Sequence, residues 1–140
     1  MALPKHLRLE FVTPERAIVH EDVDEVELPG EEGDFGVLPG HAPLLSALRP
    51  GVLWYRKGAE KKYAFLAGGF VEVLADRVAV LAPVAERAED IDVQRAEAAK
   101  RRAEDRLAKP AADMDFERAR IAMLKAIARL QVSRNSRPRA

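Results

Sequence analysis

The sequence has 140 residues, 48% hydrophobic and 33% charged, which bounds it to one ordinary domain or two small ones and excludes a disordered chain. With no cysteine, disulfides, thiolate catalysis and cysteine-ligated zinc are excluded. The formal net charge is zero but divided: residues 1–85 carry 9 Lys+Arg against 13 Asp+Glu, a balance of −4, and residues 86–140 carry 14 against 10, a balance of +4.

Met1 to Arg8 is followed by no apolar h-region, so no secretory signal is expected. No run of about 18 apolar residues follows, so no membrane-spanning helix is expected either. From Leu7 the period is two. Leu7, Leu9 and Phe11 alternate with Arg8 and Glu10, which predicts a half-buried strand over Leu7 to Thr13. Val26 and Leu28 alternate with Glu25 and Glu27 in the same way. Val52 to Arg56 and Lys61 to Ala67 flank Lys57-Gly58-Ala59-Glu60, a hairpin pattern. Phe70 to Leu74 and Val78 to Pro83 flank a second tight turn, Ala75-Asp76-Arg77. Short strands with turns this frequent predict an antiparallel sandwich or barrel.

After Pro83 the pattern becomes helical. Asp90 to Ala108 holds no Gly or Pro and is rich in Ala, Arg, Lys and Glu, strong helix formers. Asp90 or Asp92 is placed to cap this helix. Lys109-Pro110-Ala111-Ala112 ends it, since proline cannot continue the ladder. Asp113 or Asp115 then caps a second helix to about Ser133, with Phe116, Ala119, Met123, Ile127 and Leu130 as its apolar stripe. The first helix offers its partner mainly Ala96, Ala99 and Ala103, with Leu107 near its end. Alanine buries little area, so this helical hairpin is expected to be held weakly and able to open. The expected domains are 1–86, a β-sandwich, and 87–140, the hairpin.

Leu28 to Leu45 holds four glycines and three prolines. It reads as a rigid loop with several positive-φ positions, displayed beyond the strands. No Gly-Lys-Ser/Thr follows and no helix opens after the glycines, so a phosphate-binding loop is excluded, as is a dinucleotide fingerprint. The three histidines stand far apart with no metal or triad spacing, which argues against an enzyme. A pI near 6.9 and the lack of a basic-aromatic surface argue against a nucleic-acid partner.

Within that stretch, Gly33-x-x-Gly36-Val37-Leu38-Pro39-Gly40-His41-x-Pro43-Leu44-Leu45, followed by Leu48-x-Pro50-Gly51, resembles the signature of F-type ATP synthase epsilon subunits. Phe65 to Val73 is similar to that family's Gly-Gly strand pair. Ile91-Asp92-x-x-Arg95-Ala96 resembles its first-helix motif, and Asp115-Phe116 through Leu130 its second helix.

The resemblance implies a flattened antiparallel β-sandwich followed by a two-helix hairpin, in a non-catalytic central-stalk subunit. Implied partners are the gamma subunit, the ring of c subunits and, when the hairpin extends, the alpha and beta subunits. Membrane contact is then made only through the complex, at the cytoplasmic face of a bacterial plasma membrane or, as the less favoured case, the stromal face of a chloroplast thylakoid. Carried over by position, Gly33, Asp34, Leu38, Pro39 and His41 face the c ring, although Asp34 stands where the family often has Glu. The hairpin is implied to inhibit ATP hydrolysis. No cofactor is required, but ATP is an implied regulatory ligand on Glu86, Ile91, Asp92, Arg95, Ala96, Arg102, Lys125 and Arg129. Lys125 departs from the Arg of tightly binding members, and a lysine lacks the planar fork. Asp92 reads equally as a helix cap, and His41 by itself reads as a turn histidine bonded to its own loop, with only the resemblance assigning it to the ring. The alternative function is a free-standing nucleotide-binding regulatory module.

Overall fold

A computed structural model describes residues 2–137. Eight strands precede two helices: β1 (Leu7–Val12), β2 (Ala17–Val23), β3 (Glu25–Gly30), β4 (Gly33–Val37), β5 (Leu44–Lys57), β6 (Glu60–Leu74), β7 (Arg77–Leu81), β8 (Ala85–Arg87), α1 (Val93–Ala108) and α2 (Phe116–Asn135). The strands hydrogen-bond in the order β2-β1-β7-β6-β5-β3-β4, with β8 also on β6.

β5 and β6 are 14 and 15 residues long, and they pair with each other along nearly their whole length. Their far ends belong to different layers. Near the β5–β6 turn they carry β3, β4 and β8; beyond Pro50 and Gly68 they carry β7 and, through it, β1 and β2. The two layers enclose a core that includes Leu7, Leu9, Phe11, Val26, Leu28, Leu53, Leu66, Val71, Val73, Val78 and Val80, all fully buried. The alternation in β1 accounts for this directly, since its burial follows the period of two.

Two glycines make the long hairpin feasible. Gly58, at φ +61°, opens the two-residue turn between Lys57 and Glu60, as hairpin turns with a leading glycine require. Gly69 sits at φ +129°, and a Cβ there would collide with the Leu81 carbonyl oxygen. The Gly68-Gly69 pair therefore joins what the sequence reads as two strands, Lys61 to Ala67 and Phe70 to Leu74, into one bent strand.

Three expectations need correction. The sheet is mixed rather than wholly antiparallel: β1 and β7 run parallel, in register from Arg8–Arg77 to Val12–Leu81. A parallel pair needs a long crossover, here the whole of β2 to β6, and no local pattern reports it. The stretch from Leu28 to Val37 is not a loop beyond the strands but most of the β3–β4 hairpin, and only its turn, Glu31-Glu32, and the segment from Leu38 to Pro43 lie outside strands. Its positive-φ positions are Gly33 and Gly40. Third, α2 does not bury a single stripe. Phe116 is 54% exposed, whereas Ala119, Ala126, Ala128 and Val132 are buried. Its middle is apolar almost all round because it packs on the sheet through one side and on α1 through another.

The helix starts follow from their caps. The Asp92 carboxylate accepts from the Arg95 amide at 3.1 Å, and Asp115 from the Arg118 amide at 3.1 Å. On α1 only Ala96 and Ala103 are fully buried, so the α1–α2 seam is built largely of alanine, as expected.

Gly69→Ala is expected to destabilise the chain by about 2–3 kcal/mol in urea unfolding, because strain and collision coincide. Gly36→Ala, with open space around it and no positive φ, is expected to stay within about 0.5 kcal/mol of the parent.

Candidate functional site

The outer surface of the bent sheet is divided in two. Around the β5–β6 turn, α2 covers it: Ala128 and Val132 pack on Phe65, with Val52, Tyr63, Ala67, Ala88 and Ile91 around them. Beyond the Gly68-Gly69 bend none of the described residues covers it. Leu45, Phe70 and Leu81 stand there 74%, 60% and 60% exposed. Phe70 lies directly across from Ala47 on one side and Leu81 on the other, so these side chains share one row. A contiguous apolar patch of this kind marks an interaction surface. None of the three was singled out from the sequence as a site residue. The signal was there in Leu44-Leu45, Phe70-Val71 and Val80-Leu81, where adjacent positions are both apolar although only one face can enter the core.

The five residues carried over as one ring-facing loop fall at the two ends of β4, Gly33 and Asp34 at its start and Leu38, Pro39 and His41 beyond its end. Gly33 and Asp34 open the strand and Leu38 follows its end, roughly 13 Å further on at about 3.3 Å per residue. The Asp34 carboxylate is held by Arg49 at 2.5 Å, and Arg49 also donates to the Gly30 carbonyl at 2.9 Å. The loop from Leu38 to Pro43 is anchored, with the Gly40 amide donating to the Ala75 carbonyl at 2.7 Å and the His41 amide to the Leu38 carbonyl at 3.2 Å. The His41 ring bonds the Ala42 carbonyl through Nδ1 at 2.6 Å, the turn-histidine arrangement. Leu3 and Leu38 are exposed beside this loop, and Leu44 and Leu74 partly so, giving that end of the sandwich an apolar tip.

The residues carried over for ATP also divide. Glu86 and Arg129 meet: Arg129 Nε donates to Glu86 Oε1 at 2.6 Å, with the guanidinium 4.3 Å from the centre of the Phe65 ring. Ile91 packs into the same apolar cluster. Asp92 is engaged as the α1 cap, and Ala96 is buried in the hairpin seam. Arg95 and Arg102 are exposed on α1, seven positions apart and so on one helix face. Lys125 is partly buried one turn before Arg129. Three basic side chains, Arg95, Arg102 and Lys125, therefore have no ion-pair partner among the described residues, and Arg129 has Glu86.

Residues 6–88 match the model of the ATP synthase delta/epsilon chain β-sandwich domain, and residues 89–134 match that of its long α-helix domain. The chain belongs to the ATP synthase delta/epsilon family. It is 49% identical over 134 residues to the ATP synthase epsilon chain of Nitratidesulfovibrio vulgaris, covering 96% of this chain and 100% of that one. It is 51% identical over 128 residues to the epsilon chain of Solibacter usitatus, covering 91% and 96%, respectively. Among solved structures it is similar to a chain of the Euglena gracilis mitochondrial ATP synthase OSCP/F1/c-ring assembly, with a TM-score of 0.81 at 25% identity over 94% of this chain and 82% of the other. A chain of the Tetrahymena thermophila mitochondrial ATP synthase central stalk and c-ring shares the fold, with a TM-score of 0.58 at 16% identity over 96% and 98%.

Asp92→Ala is expected to cost the hairpin about 1 kcal/mol in thermal unfolding followed by helical circular dichroism. Asp113→Ala, which removes no cap, is expected to change it by less than about 0.5 kcal/mol.

Proposed function

We propose that the chain is the non-catalytic epsilon subunit of an F-type ATP synthase rotor, coupling proton-driven rotation to ATP synthesis. The observation that carries this reading is the uncovered apolar row of Ala47, Phe70 and Leu81, with Leu45 beside it on the same face, in a chain whose two parts both match the family. That row is the docking face for the gamma subunit. The tip with Leu38, Pro39, His41, Leu44 and Leu74 meets the c ring, with Gly33 and Asp34 further along β4. Asp34 already has Arg49 as a partner, so it contributes to the ring contact as part of that pair rather than as a free charge. No helix of the described residues is long and apolar enough to cross a membrane, so the subunit reaches the cytoplasmic face of a bacterial plasma membrane through these partners.

The hairpin is the regulatory part. Folded on the sandwich, as here, it leaves gamma free; extended, it meets alpha and beta and resists rotation in the hydrolysis direction. This is a two-state element biased by its contacts. ATP is the ligand that favours the folded state. Ile91 and Ala96 would seat the adenine, with Asp92 and Glu86 beside it, and Arg95, Arg102, Lys125 and Arg129 would surround the phosphates. That Arg95, Arg102 and Lys125 have no ion-pair partner among the described residues supports this, since it leaves three cations on the two helices available to an anion.

Phe70→Asp is expected to weaken binding to purified gamma by about 30-fold or more, as for a central anchor residue. Retention of parental affinity would remove the apolar row from the interface. Calorimetric titration of the isolated chain with ATP is expected to give saturable binding that Arg95→Ala abolishes. No heat at millimolar ATP would leave a coupling subunit without a nucleotide sensor. ATP binding together with indifference to gamma would instead mark a free-standing nucleotide module.

A further inference from the structure

The hairpin meets the sandwich mainly through one side of α2, and the fully buried contribution from that side is small: Ala128 and Val132 against Phe65. Against this sparse apolar contact stands one polar one. The side chains of Arg129 and Glu86 are 29% and 26% exposed, and their contact, at 2.6 Å, is short even for a charge-assisted hydrogen bond. Among the described residues it is the one ion pair that joins α2 to the sheet.

The geometry beneath the pair is fixed by the sheet. Glu86 on β8 lies directly across from Phe65 on β6, so both side chains leave the same face as neighbours. Arg129 descends from α2 onto both at once, its guanidinium on the ring and its Nε on the carboxylate. The partners are 43 positions apart in the chain, so this one contact closes the whole path from β8 through α1 and back along α2.

We propose that Arg129, seated on Phe65 and bonded to Glu86, is the clasp that keeps the hairpin docked on the sandwich without any ligand, and that breaking it releases the hairpin. Loss of either partner leaves the other half-desolvated and unpaired, which costs more than the pair gains by forming. Release would uncover Phe65, Ile91 and Val132 together, an apolar strip available to another surface. The clasp also occupies the Nε of Arg129, so an anion arriving at that side chain must use its two terminal nitrogens or displace Glu86. Its regulatory meaning rests on the reading of the hairpin given above; its existence does not.

The test is hydrogen–deuterium exchange on the full isolated chain without nucleotide, comparing the parent with Glu86→Gln, Arg129→Gln and the double variant. Each single change is expected to speed exchange in α2 about tenfold or more, as for loss of a charged hydrogen bond. The double variant is expected to be no faster than the faster single one, since the two residues act as one contact. The amides of Leu9 and Val71, in the sandwich core, should exchange at the parental rate. Single variants within about twofold of the parent, effects that multiply in the double, or core amides accelerating equally would each overturn the clasp. Because no ATPase or gamma subunit is present, the result stands apart from whether the hairpin acts as a brake.

Discussion

Everything in this molecule hangs on the β5–β6 hairpin and its bend at Gly68-Gly69. Two strands of 14 and 15 residues, paired nearly throughout, pass from one layer to the other and so bring every other strand to its place. The bend is possible because both glycines hold backbone angles that side chains disfavour, with Gly69 against the Leu81 carbonyl where no Cβ fits. Burial then does the rest. Leu66, Val71 and Val73 point inward along one strand, each worth roughly 1.5–3 kcal/mol when withdrawn from water.

The same bend gives the outer surface two characters. On the near side Phe65 is covered by α2 and is fully buried. On the far side Phe70, five positions on along the same strand, is 60% exposed. One part of this surface therefore carries the chain's own hairpin, and the other is left uncovered by the described residues, which is the division on which the proposed docking of a rotor partner rests.

The hairpin is held together, and to the sheet, by little buried apolar area. Its seam is made of Ala96, Ala103, Ala119 and Ala126, which allow close helix approach but add little buried area. α2 holds the sheet through a small apolar cluster and one ion pair rather than through a continuous core. Its two used sides explain why a single stripe describes it poorly, and why Phe116 at its start lies outside the packing.

Much of this was legible in the sequence. The change of period after Pro83, the alternation in β1, the glycine turn at Gly58 and the aspartate caps are local consequences of side-chain spacing and backbone chemistry, so they can be read locally. The glycine- and proline-rich stretch from Leu28 to Leu45 carried the family resemblance for the same reason, being a run of neighbouring residues. What lay beyond reach was pairing between distant segments. The parallel partnership of β1 with β7, the merging of two apparent strands into β6, the division of Gly33 and Asp34 from Leu38 to His41 along β4, and the meeting of Glu86 with Arg129 all join or separate residues through the sheet. A sequence by itself determined where the strand-forming part gives way to the helical part and which side chains are apolar. Only the tertiary structure decided which apolar face is covered and which charge finds a partner, because burial and ion pairing depend on what packs alongside and not on what is adjacent in the chain.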